Sequence, residues 1–226
     1  VIDIGGGPGV YAVWLAAQGL EVHLVDLAPK HIDLARERAQ AEGVTLASAS
    51  VGNALDLDFA AERFDIALLL GPLYHLQRRE ERLQALAEML RVLRPGGLAF
   101  CATISRYASL FDGYYYRMIE DLEFRAIIAR DLATGEHVNP TEKDYFTDAY
   151  FHTPAELEAE IAEAGYEIVG TMGVEGFGRL LPDFDAIWAD AERRRRLLDY
   201  LREIESAPSL LGMSAHLLAV ARRPGF

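Results

Sequence analysis

The chain has 226 residues and a formal net charge of −13, with 51% hydrophobic and 25% charged residues. That length allows one substantial α/β domain, alone or with a cap, and the composition is that of a soluble globular protein. The acidic balance argues against nucleic acid or an anionic membrane surface as a partner, and the one basic run, Arg193-Arg194-Arg195-Arg196, lies among acids and reads as a solvated helix face.

Taken in chain order, Val1-Ile2-Asp3-Ile4 is an apolar strand running into the turn Gly5-Gly6-Gly7-Pro8-Gly9. A helix follows from Val10, with Gly19 just past its end. Glycines there let backbone approach a ligand where side chains would collide, and a strand, a glycine turn and a helix N-terminus make a nucleotide-type cofactor site. Two registers fit. Gly7-Pro8-Gly9-Val10-Tyr11-Ala12 matches the G-x-G-x-x-A of dinucleotide enzymes, whereas Gly5-x-Gly7-x-Gly9 preceded by Asp3 matches the turn of enzymes that bind S-adenosylmethionine.

Residues 21–27 read as a second strand, and 29–41 as a helix opened by Pro29 and closed by Gly43. Residues 44–50 make a third strand, and the nearly continuous apolar run 64–70 a fourth, buried on both faces. Residues 78–93 form an amphipathic helix with Leu83, Leu86, Leu90 and Leu93 at helical spacing, and the turn Arg94-Pro95-Gly96-Gly97 leads to a fifth strand over 98–104. Residues 105–152 are irregular and aromatic, longer than a plain connection needs, and are expected to form an α-helical cap insertion. Thr153-Pro154-Ala155-Glu156 is a capping box that starts a helix ending at Gly165; strands over 166–172 and 215–222 flank a long polar helix over 183–205. The alternation predicts a doubly wound, mostly parallel sheet, with 1–104 as cofactor-binding core, 105–152 as cap and 153–226 completing the core.

Cys101, the single cysteine, lies in an apolar run, so no intrachain disulfide or thiolate cluster is possible and a reducing cytoplasm is expected. The six histidines are scattered and form no metal-binding pattern. The longest apolar stretch, 66–70, is too short to span a bilayer, and no signal peptide is visible. The chain opens within a strand and without methionine, so residues upstream are expected to be missing.

Four separated segments, in order and spacing, carry a family resemblance: Val1 to Gly9, Val25-Asp26-Leu27, Phe64-Asp65-Ile66-Ala67 through Gly71-Pro72-Leu73-Tyr74-His75-Leu76, and Val92-Leu93-Arg94-Pro95-Gly96-Gly97. Together they make the chain resemble a class I S-adenosylmethionine-dependent methyltransferase of the small-molecule, type 11/25-like kind, over nearly its whole length except the cap. The resemblance implies a seven-stranded sheet ordered 3-2-1-4-5-7-6 with the last strand antiparallel, S-adenosyl-L-methionine as cofactor and S-adenosyl-L-homocysteine as product.

Asp26, at a strand end 17 residues after Gly9, is expected to bind both ribose hydroxyls, with a role at the start of the next helix as the alternative. The resemblance places Asp3 at the methionine end; a buried acid bonded to turn amides is the other reading. Gly5, Gly7 and Gly9 form the cradle and Leu27 lies beside it. Asn53 and Ala54 stand where many members carry an aspartate for the adenine amine, and Asn53 is alternatively a turn residue. Gly71 would offer a carbonyl to the methionine amino group, and Tyr11 would reach its carboxylate or pack on the cap. Tyr74 and His75 would face the transferred methyl, with His75 or His152 as general base. Arg106, Tyr107, Tyr150 and Phe151 are candidate substrate contacts, Arg106 for a carboxylate.

The expected activity is in-line methyl transfer to an O, N or C atom of a small organic acceptor, without metal. The rivals are cyclisation or cleavage of S-adenosylmethionine on the same fold, an NAD(P)-dependent oxidoreductase, and a non-catalytic cofactor-binding protein. Acceptor identity and oligomeric state are not written in these motifs.

Overall fold

The computed structural model describes residues 1–225. Its first half runs β1 (Ile2–Ile4), α1 (Val10–Ala17), β2 (His23–Asp26), α2 (Pro29–Ala41), β3 (Ser48–Val51), β4 (Phe64–Leu69), α3 (Pro72–His75), α4 (Arg79–Val92) and β5 (Leu93–Ile104), alternating except that no helix separates β3 from β4 and two helices separate β4 from β5. There follow α5 (Ala108–Tyr115), α6 (Leu122–Thr134), β6 (Glu136–His137), β7 (Ala149–Tyr150), α7 (Pro154–Glu163), β8 (Glu167–Gly173), α8 (Phe184–Ala189), α9 (Ala191–Ile204) and β9 (His216–Arg222).

The main sheet is ordered β3-β2-β1-β4-β5-β9-β8, and β6 and β7 form a separate two-stranded ribbon. With that ribbon set aside, this is the 3-2-1-4-5-7-6 order expected. β1 pairs in parallel with β2 and β4, β2 with β3, and β4 with β5. β9 runs antiparallel to β5: Arg223 N donates to Gly97 O, Gly96 N to Arg223 O, and Ser105 N to Ala215 O, so rising numbers on one strand meet falling numbers on the other.

The described chain divides into two compact units. The first comprises Val1–Ala102, Ala159–Val169 and the chain from Val220. Every residue of β1 and β2 is buried, as strands covered on both faces require. Ala12, Val22, Leu24, Ile32 and Ala35 pack into one cluster. Proline at the start of α2 and Gly43 (φ 67°) just past its end bound that helix as the sequence predicts.

One buried ion pair also belongs to this unit. Arg82, 2% exposed, donates from Nε and Nη2 to both oxygens of Glu160, at 2.9 and 2.7 Å. Its Nη1 donates to the carbonyls of Leu76 and Gln77, so the same guanidinium pins the backbone directly after α3.

The second unit comprises Thr103–Glu158 and Gly170–Ala219. It thus takes in 170–219 as well as the stretch expected to form the cap. Phe124, Ile127 and Ile128 make its own small core, with Leu110, Met118 and Tyr145 against it. The capping box forms as read: Thr153 N donates to Glu156 Oε2 at 2.8 Å, and Glu156 N to Thr153 Oγ1 at 3.2 Å.

Three local expectations are corrected. The single polar helix over 183–205 is two, because Asp190 is extended (φ −88°, ψ 117°) and its carboxylate accepts from the amides of Glu192 and Arg193, starting α9 anew. The turn at Arg94–Gly97 is absorbed into a strand that begins at Leu93, with a register shift against β4 between Phe64 and Ile66. The third strand starts at Ser48 instead of residue 44 and is half exposed, as suits a sheet edge.

Glu160→Ala should lower unfolding stability in urea by about 3–5 kcal/mol, because it strands a buried guanidinium. A loss below about 1 kcal/mol would show that the pair is not buried as described.

Candidate cofactor site and active site

The turn between β1 and α1 divides its glycines by task. Gly5, Gly7 and Gly9 all have positive φ (66°, 56° and 75°), a region that other residues enter at a cost. A Cβ on Gly5 would lie 2.5 Å from Pro72 Cγ, and one on Gly9 2.8 Å from Ala35 Cβ. Those two glycines let the turn touch α3 and α2. A Cβ on Gly7 would meet nothing within 4 Å, and Gly7 lines a cavity of 430 Å³ in the first unit. Gly9, expected in the cradle, packs against α2 and is not on the cavity wall.

Asp26 closes the turn from the other side. Its Oδ2 accepts from Gly7 N at 2.8 Å, and its Oδ1 accepts from Ala28 N at 2.9 Å and shares a hydrogen bond with His31 Nδ1 at 3.0 Å. The carboxylate therefore orders the approach to α2, as one sequence reading expects, and it also lines the cavity. These bonds occupy three of its roughly four acceptor positions. Bidentate ribose binding would exchange the His31 bond for a hydroxyl.

Leu27, Asn53, Ala54 and Gly71 line the same cavity. Asn53 Oδ1 accepts from Leu55 N at 3.0 Å, which is the turn role, while the residue keeps its place on the cavity wall. Tyr74 and His75 complete the wall, with ring centroids 4.5 Å apart. Burial holds the Tyr74 hydroxyl above its ordinary pKa. Burial also lowers His75 below its usual 6.5, against the opposing pull of Asp26, so its imidazole favours the neutral form.

Asp3 and Tyr11 lie outside the lining. Tyr11 stands half exposed on α1, so its expected contact with a carboxylate is not formed by the cavity wall. Asp3 is 1% exposed beneath the turn, and burial pushes its pKa up to about 7, although the Ala12 amide donates to it. Its Oδ2 has no hydrogen-bond partner among the described residues. An acceptor left without a donor below a glycine cradle, an open position at Gly7 and an acidic strand end together fit an adenosyl cofactor with a cationic amino-acid tail.

His31 was not singled out by sequence reasoning. Its signal was position alone: it lies in the first turn of α2, five residues past Asp26, where a side chain reaches back to the strand end.

In the second unit the expected substrate residues separate. Arg106 is buried, and its guanidinium is committed to both oxygens of Glu156 (2.8 and 2.7 Å), to Tyr150 Oη (3.1 Å) and to the carbonyls of Phe151 and Thr134 (both 3.3 Å). Its expected carboxylate-binding role is therefore corrected to holding this unit together. Tyr150 belongs to that cluster, and Tyr107 packs on Gly212. His152 is fully buried, with Nδ1 bonded to Thr103 Oγ1 at 2.7 Å, which corrects its reading as an accessible base. Phe151 lines a second cavity and stacks on His137 at 4.6 Å.

Asp3 gives a pH signature. Between its ordinary 3.8 and about 7 the folded ligand-free protein keeps a proton that the unfolded chain releases, so this carboxyl's contribution to stability falls as pH rises through that window. Asp3→Asn should remove that fall. Urea unfolding of both proteins at pH 5 and pH 8 should show their difference in stability changing in favour of the variant at pH 8; a difference that does not move with pH would refute the protonated Asp3.

A family model for the methyltransferase domain matches residues 1–97. The ubiquinone biosynthesis O-methyltransferase of Cereibacter sphaeroides is 33% identical over 174 residues, covering 77% of this chain and 62% of that protein. The one from Rhizobium etli is likewise 33% identical over 174 residues, with 77% and 62% covered. The chain thus spans about 62% of the length of these curated relatives. Among solved structures, an S-adenosylmethionine-dependent methyltransferase from Methanosarcina mazei matches with a TM-score of 0.69 at 20% identity, over 99% of this chain and 91% of that one, which is a likeness of fold. The family match spans the glycine turn, Asp26 and the segments after β4, and so selects Gly5-x-Gly7-x-Gly9 over the dinucleotide register. Residues 1–97 thus match the methyltransferase-domain family.

Proposed function

We propose that this protein transfers a methyl group from S-adenosylmethionine to an oxygen atom of a small organic acceptor. The observation that carries the reading is the single cavity that gathers Gly7, Asp26, Asn53, Gly71, Tyr74 and His75 from four separate stretches of chain. Oxygen is favoured over nitrogen or carbon by the relatives named O-methyltransferases.

Bound in that cavity, the cofactor supplies a carbon already activated by a sulfonium. The residues align, exclude water and move one proton. Gly7 leaves room for the approach and Asp26 offers acceptors to ribose hydroxyls. Asp3, ionised beside a cationic amino group, would place a charge opposite it from below the turn. His75, held neutral by burial, takes the acceptor's proton, and the Tyr74 hydroxyl stays protonated next to it. Among the described residues no cluster has the makings of a metal site, and none of these steps calls for one. No described helix is long and apolar enough to cross a membrane. A cytoplasmic setting suits the one thiol, Cys101, which is buried and pushed up to about 12.

Calorimetry with S-adenosylhomocysteine should show binding, and Asp26→Ala should weaken it by about 2 kcal/mol, the size of a lost charge-assisted hydrogen bond. Unchanged affinity would remove Asp26 from the site. His75→Ala should keep that affinity and lose turnover. In the wild type the acid limb of kcat should lie below pH 6.5, because burial lowers the pKa of His75; a full-rate variant would take the base role from it. Mass spectrometry of the products separates the chemistry: methylthioadenosine in place of S-adenosylhomocysteine would mean cleavage or another reaction in place of methyl transfer.

A further inference from the structure

The second unit contains its own cavity of 440 Å³, within the range of small-molecule sites. Its walls are aromatic: Phe124, Tyr145, Phe146 and Phe151 all line it. Phe124 and Tyr145 are 4.8 Å apart, and Phe146 and Phe151 6.4 Å. Such faces hold a planar ring by stacking and edge contacts.

Arg179 is on this wall as well, and the rest of the unit leaves it differently engaged from Arg106. Among the described residues its one hydrogen-bond partner is Asp112, reached through Nη2. Asp112 takes one Nη2–H, which leaves the second Nη2–H to pair with Nε–H on one side of the fork or with Nη1–H on the other. Burial raises the pKa of Asp112, and the neighbouring guanidinium opposes that rise. Asp144, also lining the cavity, is exposed and its charge is screened by water. His216 adds a second nitrogen-bearing group to the wall, held by Glu175 through Nδ1 at 2.5 Å.

We propose that this cavity binds a small aromatic carboxylate, its ring against the aromatic walls and its carboxylate on the Arg179 guanidinium. A planar fork matches a carboxylate in two-point geometry, which a neutral substituent does not reproduce. The proposal does not rest on the methyltransferase reading above.

The test uses an isosteric pair, 4-hydroxyphenylacetate and 4-hydroxyphenylacetamide, titrated calorimetrically into the full chain. The wild type should bind the acid more tightly than the amide. Arg179→Gln should weaken the acid about tenfold or more and leave the amide unchanged, as expected for a lost charge-assisted contact. Asp112→Asn should tighten the acid several-fold by releasing the guanidinium from its partner, and this arm decides if Arg179→Gln does not fold. Equal affinity for acid and amide, no binding of either, or no response to both substitutions would overturn the proposal. S-adenosylhomocysteine titrated in parallel keeps the two readings apart: failure of the wild type to bind it counts against the methyltransferase, whereas loss of the acid alone counts against this site.

Discussion

The first unit depends on the left-handed path of the backbone from Gly5 to Gly9. Three residues at positive φ fold the chain back on itself within one turn, and each is in contact distance of a different neighbour or of empty space. Gly5 admits Pro72 and therefore the start of α3; Gly9 admits Ala35 and therefore α2; Gly7 stands open on the cavity. Asp26 then ties the turn to β2 by accepting from Gly7 N. A side chain at any of these glycines would strain the backbone, and at Gly5 or Gly9 it would also push apart elements that carry cavity walls.

Buried charge is used differently in the two units. Beneath the turn, Asp3 is deprived of water and of a full set of donors, so it holds its proton near neutrality unless a cation approaches. Arg82 and Glu160 are buried but mutually satisfied, and their value is in fixing the carbonyls of Leu76 and Gln77 behind Tyr74 and His75. In the second unit Asp131 Oδ2 accepts from Ser109 Oγ at 2.5 Å and bonds His137 Nδ1 at 2.9 Å, and both partners line the aromatic cavity. Burial alone would lower the pKa of His137, but Asp131 raises it. The Arg82–Glu160 and Asp131–His137 contacts confer rigidity on the surfaces above them.

Much of the fold was legible because its signals are local. Strand and helix periods, proline at the head of α2, glycine past its end and the Thr153–Glu156 capping box each act within a few residues, and each appears where it was read. The cofactor wall was legible for the same reason: Gly7, Asp26, Asn53 and Gly71 follow the carboxyl ends of β1, β2, β3 and β4, which the topology brings to one edge. Asp190 misled the helix reading because an aspartate inside a polar run gives no sign of whether it will cap or continue.

Through the family resemblance the sequence anticipated the order of the sheet and the class of cofactor, and its local signals placed the strands, the helices and most of the residues that line the first unit's cavity. Tertiary structure decided which polar side chains are available. Arg106 meets Glu156 across 50 residues and is used up, whereas Arg179 meets Asp112 across 67 and keeps part of its fork. His152 met the same fate as Arg106, with Thr103 as partner and no exposure left. A side chain's commitment depends on what long-range packing brings against it, and no pattern of neighbours in the chain encodes that.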